Sequence, residues 1–301
     1  MPTPQHNENR EASAIESLRS ALWEDKKAEN ELHYAVVLDP LSWPGLHQRL
    51  ASESSAYRIY SGSIDREHAA VMPRCARLGP ASALTDWLAP RVVSNGGVFF
   101  GWGTTCEKDP MASLAVMLAR ANRVWLPDGR SAWFRWYDPI ILCDFLPIAD
   151  EDQQAFFFGD WIDDIRVFHP LKKEWMRFPR KRKRRTTRPL CIDAEQLERM
   201  GEKSFERFIR RLTEMLRPEQ PRLTPVMLED RVRHSVALAE DHGISSENDL
   251  IAFVRLDVKS GWALRGDREA LALLHVPNAC MMEKMEKLES FINKQYKRKC
   301  P

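Results

Sequence analysis

Two turn signals frame the stretch LPDGRSAWFRWYDP, Leu126 to Pro139, and between them they leave the chain little freedom. Pro127-Asp128-Gly129 reads as a tight turn, because proline presets φ and glycine supplies a positive φ. Asp138-Pro139 reads as a helix entry. The carboxylate can accept backbone N–H groups, and proline fits the first helical position, where its missing N–H costs nothing. Val124–Leu126 and Ala132–Tyr137 are then the two strands of a β-hairpin. Alternation on the second strand puts Trp133, Arg135 and Tyr137 on one face and Phe134, Trp136 and Asp138 on the other.

Upstream, Tyr34–Asp39, Tyr57–Tyr60 and Val98–Trp102 are short apolar runs next to turn residues, the pattern of buried strands. Helical patterns lie at Ala12–Lys27, at Leu41–Leu50, from Ser82 to a stop at Pro90, and at Met111–Ala121 behind Asp109-Pro110. A helix over Ile140–Phe145 and another ending at Phe158 follow the hairpin. This mixture predicts an α/β (α+β) lobe. Beyond Pro189 the patterns are helical: Asp193–Leu216, Thr224–His242 before Gly243, Ser245–Val258 before Gly261, Asp267–Leu274 and Cys280–Lys299. The expected order is a polar segment at 1–30, an α/β domain with its hairpin at 31–176, a basic linker at 177–190 and a mostly α-helical lobe at 191–301.

Charge singles out the linker. Arg177–Arg188 (RFPRKRKRRTTR) holds eight Lys/Arg and no acid, while the whole chain carries only +2, so the remainder is net acidic. Such a run is more often a solvated segment or a contact for an acidic partner than a nucleic-acid site. No helix-turn-helix, RNP motif or metal knuckle accompanies it. An apolar fraction of 44% with 29% charged residues suits a folded body with a real core. The six cysteines are scattered without a CxxC pair, which predicts reduced thiols. The N-terminus is polar and acidic where a signal peptide is basic and then apolar, and no apolar run reaches the roughly 18 residues that span a bilayer. The expectation is a cytoplasmic protein.

Catalytic patterns are sparse. Gly101-Trp102-Gly103 starts a dinucleotide fingerprint, but Cys106 stands where the third glycine belongs, so a strand end is the better reading. There is no P-loop, HExxH motif or GxSxG elbow, and no cofactor is implied. His234 and His242 lie two helical turns apart without a third ligand at metal spacing. Arg135 with Asp138 could serve an enzyme as anion clamp and base, but a capping role for Asp138 competes directly.

The order of LPDG, then FRxYDP, then an apolar helix ending at Leu146-Pro147 resembles the effector chaperone or adaptor family of bacterial type VI secretion. The residues that carry it are Leu126, Pro127, Asp128, Gly129, Phe134, Arg135, Tyr137, Asp138, Pro139, Leu142 and Leu146. Tyr34–Asp39 and Val98–Gly103 are similar to that family's opening and central strands, and the helical lobe to its usual tail; the basic run is not part of the pattern. The resemblance implies a non-enzymatic protein that binds a toxic effector in the producing cell and helps load it onto the VgrG spike. It also implies that Asp128, Gly129, Phe134, Arg135, Tyr137, Asp138 and Pro139 are structural. Partner contacts are then expected from apolar side chains left in solvent. The candidates are Trp125, Trp133 and Trp136 near the hairpin and Met282, Met285 and Ile292 on the last helix.

Overall fold

A computed structural model describes residues 4–24, 32–51, 56–60, 71–103, 105, 107–182, 186, 188–276 and 279–296. The chain divides into two compact units, 1–200 and 201–301.

The first unit is built on a six-stranded sheet, in which β1 (His33–Leu38) and β4 (Gly97–Trp102) are central. The other strands are β2 (Ala56–Arg58), β3 (Arg74–Leu78), β7 (Asp164–His169) and β8 (Glu174–Pro179), in the order β2-β3-β1-β4-β7-β8. Every pairing is antiparallel. The sheet is nevertheless covered on both faces, so β1 and β4 are buried almost residue by residue and read as plain apolar runs. Ala35, Val37, Val98, Phe100, Ile165 and Val167 point into one core. Tyr34, Val36, Leu38, Phe99 and Phe168 point into the other. Helices α4 (Pro110–Ala119), α5 (Pro139–Phe145) and α6 (Glu151–Phe158) supply the first layer. The second comes from α1 (Pro4–Arg19), the wide turn Ser20–Glu24, α2 (Leu46–Ala51) and α3 (Ala83–Asn95). This is the expected α+β lobe.

Local details depart from the sequence reading in physically readable ways. Helix α3 begins under Ser82, whose Oγ accepts the Thr85 N–H, but it continues through Pro90 to Asn95. Proline there forgoes one backbone hydrogen bond. The helix stops instead at Gly96, whose φ of 74° suits glycine and whose backbone abuts Pro139 and Phe168. Strands β3, β7 and β8 were not expected. The segment read as a linker starts inside β8, and the unit boundary falls between Met200 and Gly201, within α7 (Ala194–Leu216).

The second unit is helical: the end of α7, then α8 (Pro225–Asp241), α9 (Glu247–Lys259), the short α10 (Arg268–Ala272) and α11 (Met281–Tyr296). Thr224, Ser246 and Asp267 cap α8, α9 and α10 through side-chain oxygens. Gly243 and Gly261, at φ 80° and 75°, follow α8 and α9. Its core joins Leu212, Val232, Phe253 and Leu288. Met285 and Ile292, expected at a partner surface, are 8% and 2% exposed and pack in this core; Met282 is 67% exposed. The stripe on α11 therefore divides, with its inner side satisfied at home. No helix among the described residues is long and apolar enough to cross a membrane.

Burial also sorts the thiols. Cys75 and Cys143 lie in the first core, and desolvation pushes both up to about 12, whereas Cys191 and Cys280 are exposed. Alkylation of the native protein at pH 8 should therefore label Cys191 and Cys280 and spare Cys75 and Cys143 until denaturant is added, as read by peptide mass mapping.

Candidate functional site

The hairpin forms between β5 (Arg123–Trp125) and β6 (Ser131–Trp133), with Val124 opposite Ala132. At its tip the Gly129 N–H donates to the Leu126 carbonyl (3.0 Å) and the Leu126 N–H to the Arg130 carbonyl (2.8 Å). Gly129 has φ 80° with open space around it, so backbone conformation and not crowding selects glycine. Asp128 serves the turn. It accepts the Arg130 N–H at 3.0 Å and the Arg130 guanidinium at 2.6 Å, and that guanidinium holds its carboxyl below the usual range.

Strand β6 stops at Trp133 and does not run to Tyr137. The Phe134 N–H turns to the Asn122 carbonyl (2.8 Å), and the Asp138 N–H closes a turn onto the Arg135 carbonyl (3.0 Å). Alternation is lost as a result: Phe134, Trp136 and Tyr137 all enter the same core. Trp136, expected as a partner contact, is 0% exposed. Its ring stands edge-on to Phe100, Tyr137 and Phe157, and its indole N–H donates to Asn122 Oδ1 at 2.9 Å.

The polar groups of the motif are committed to structure. Asp138 Oδ1 accepts the Ile140 N–H (2.9 Å) and caps α5, with Pro139 at its first position. Arg135 donates to Asp39 Oδ2 at 2.9 Å. Asp39 is buried at the end of β1, where it also accepts the Leu41 N–H and the Ser42 hydroxyl. Burial works against the Arg135 charge, but Asp39 and Asp138 outweigh it and its pKa rises. Sequence reasoning missed both anchors, Asn122 and Asp39. Asn122 carries no motif signal, and Asp39 is recognisable only as a polar residue closing an apolar strand.

Two indoles remain outside. Trp125 is 45% and Trp133 43% exposed. The Trp133 Nε1–H donates to the Tyr137 hydroxyl (3.1 Å), and its ring stacks on Tyr60. The Trp125 N–H donates to the Leu190 carbonyl, and the Trp125 carbonyl accepts from Ile192, so the chain leaving the basic run lies along β5. A groove of about 430 Å³ opens beside Trp125, lined by Leu126, Pro127, Phe156 and Ile192.

The described part of the basic run is stitched onto this unit. Arg177 pairs with Asp164 (3.0 Å), Arg180 with Asp163 (2.7 Å), Arg182 with Glu151 (3.0 Å) and Arg188 with Asp152 (3.4 Å). Its exit is fixed by two capping boxes, Asp150/Gln153 on α6 and Asp193/Gln196 on α7, whose glutamine amides also bond each other. Among the described residues no group of three His, Cys, Asp or Glu could hold a metal. His234 Nδ1 lies 3.4 Å from the Asp230 carboxylate, and the His242 ring packs at a tilt against His275.

The corner yields two stability predictions. Asp138→Ala should lower stability by about 1 kcal/mol through the lost cap. Arg135→Gln should lower it by about 1–2 kcal/mol, because Asp39 is buried while the arginine is half exposed. Urea unfolding of each variant, with unchanged m-value, is the check.

No curated protein and no solved structure matches the chain. Residues 33–155, from the first residue of β1 into α6, match the family model of a domain of unknown function, DUF4123.

Proposed function

We propose that this protein is a chaperone-adaptor without catalytic chemistry of its own. It would bind a type VI secretion effector in the cytoplasm of the producing cell and help load it onto the VgrG spike. One observation carries the reading: at the hairpin corner Asp128, Arg135, Tyr137 and Asp138 are each engaged in an internal contact, while the indoles of Trp125 and Trp133 face solvent, the latter braced by Tyr137. Arginine and aspartate that close a turn, cap a helix and tie the corner to the end of β1 hold a surface in place and leave no reactive group of the motif spare. The resemblance of LPDG and FRxYDP to the effector chaperones supports the same reading, and the matched domain covers that same stretch. Exposed tryptophans at fixed positions are the usual energetic centres of protein–protein interfaces.

The test is co-expression with the products of the adjacent genes, a toxin-like protein and a VgrG spike being the partners the proposal requires among them, followed by affinity purification. Co-elution, with the toxin insoluble or depleted when this chain is absent, is the expected result; independent solubility of all three would sink the proposal. Trp125→Ala and Trp133→Ala should each weaken the complex about 30-fold, roughly 2 kcal/mol, with little change in Tm. Trp136→Ala should instead lose about 3–5 kcal/mol of stability, because it empties a core position.

A further inference from the structure

A pocket of about 300 Å³ in the helical unit has the composition of a ligand site. It lies between one stripe of α8, formed by Arg231, His234, Ser235 and Leu238, and the segment after α9, with Gly261, Trp262 and Arg265. Asp257 of α9 and Ser235 are buried and form the floor, while Arg265 and His234 are exposed at the mouth. Leu238 and the Trp262 ring supply an apolar wall.

Three features separate this pocket from an ordinary surface dent. First, Trp262 has φ 66°, a left-handed conformation that a bulky side chain adopts only under constraint. Its N–H is held by the Asp257 carbonyl (2.8 Å) and its indole N–H donates to Gln220 (3.4 Å), which fixes the ring as a wall. Second, two guanidinium groups, those of Arg231 and Arg265, line the same pocket. Arg231 stacks its guanidinium on Trp262 at 5.7 Å, and the charge that faces it is the floor carboxylate of Asp257. His234 Nδ1 lies 3.4 Å from the Asp230 carboxylate. Third, the floor retains accepting capacity. Asp257 takes the Leu264 N–H (3.1 Å) and a long contact from the Ser260 hydroxyl (3.4 Å), and burial raises its pKa. The Ser235 hydroxyl lies beside that carboxylate without completing a hydrogen bond of sound geometry.

We propose that this pocket binds the free C-terminus of a polypeptide. A chain end presents three groups in fixed relation, and each has a counterpart here. The terminal carboxylate meets Arg231 and Arg265. The last peptide N–H reaches the acceptors Asp257 and Ser235. The terminal side chain packs on Leu238 and Trp262. The volume sits at the lower end of small-ligand sites and suits one or two residues. Inorganic phosphate offers charge but neither the peptide N–H nor the apolar stem. An internal glutamate side chain brings its carboxylate without an N–H at the right separation. This inference stands independently of the adaptor role.

The test uses the full-length protein labelled with 15N and follows the Trp262 indole N–H resonance, assigned by its loss in Trp262→Phe. The probes are N-acetyl-glycyl-leucine with a free C-terminus, its C-terminal amide, N-acetyl-glutamate α-amide and inorganic phosphate. The free acid should shift the resonance saturably in the millimolar range expected for a ligand of about sixteen heavy atoms. The amide should bind at least about tenfold more weakly, and Arg265→Gln should weaken the acid by about tenfold. Arg265 is exposed, so that variant should keep the wild-type Tm. Equal binding of acid and amide, equal or tighter binding of the glutamate probe or of phosphate, no saturation, or insensitivity to Arg265→Gln would each overturn the proposal.

Discussion

One buried amide fixes the hairpin corner. The side chain of Asn122 donates to the Ile59 carbonyl beyond β2 (2.8 Å) and accepts the Trp136 indole N–H (2.9 Å), while its own carbonyl accepts the Phe134 N–H. Two segments distant from it in sequence thus depend on one residue that is itself almost wholly buried. Leaving any of these groups unpaired inside the core would cost about 1–3 kcal/mol, so the arrangement holds together as a set. The consequences run outward. Trp136, held by its N–H, stands against Phe100 of β4 and so registers the corner on the sheet. Phe134, drawn inward, ends β6 and lets Asp138 begin α5.

The sheet beneath carries a second constraint. Asp164 and Arg166 of β7 are both buried and pair at 3.0 Å, with Arg177 of β8 closing on the same carboxylate. Arg166 also donates to the Ala21 carbonyl and lies over the Tyr34 ring, whose hydroxyl faces Asp164; burial and that carboxylate push the Tyr34 pKa up. Removing one member would strand a charge in the core. The cluster also explains Gly101. A Cβ there would collide with Asp164 Oδ1 and the Tyr34 ring, so the glycine that imitates a dinucleotide fingerprint makes room for an ion pair.

This division between local and distant causes decides what the sequence could reveal. Caps, the Pro-Asp-Gly turn and the Asp-Pro entry act within four residues, and Asp109, Asp138 and Gly129 stand in their expected roles. Strands β1 and β4 were legible because both faces are buried and the runs are uniformly apolar. Strands β3, β7 and β8 were not. Arg74, Arg77, Asp164, Arg166 and Arg177 interrupt any apolar pattern: Asp164 and Arg166 pair within β7, and Arg177 of β8 closes on the same carboxylate from the neighbouring strand. The candidate surface divides the same way. Nothing within a few residues distinguishes Trp133 from Trp136, or Met282 from Met285; only the tertiary neighbours decide which one is buried. The basic run looked like a linker because its acidic counterparts, Glu151, Asp152 and Asp163, come earlier in the chain.

Rigidity is what these internal contacts give the exposed indoles. A tryptophan on a loose loop loses conformational freedom when a partner captures it, and that loss subtracts from affinity. Here Trp133 is already held by the Tyr137 hydroxyl and by Tyr60, and the backbone of Trp125 is fixed between β6 and the segment around Cys191. Much of the ordering has therefore been completed by folding, as in preorganised aromatic paratopes. The charged residues of the motif contribute in the same indirect way. Arg135 ties the corner to Asp39 at the end of β1, and Asp138 sets where α5 starts, so both position the surface without needing to touch what binds it. In the proposed adaptor, the motif fixes where the indoles stand, and recognition is left to the side chains around them.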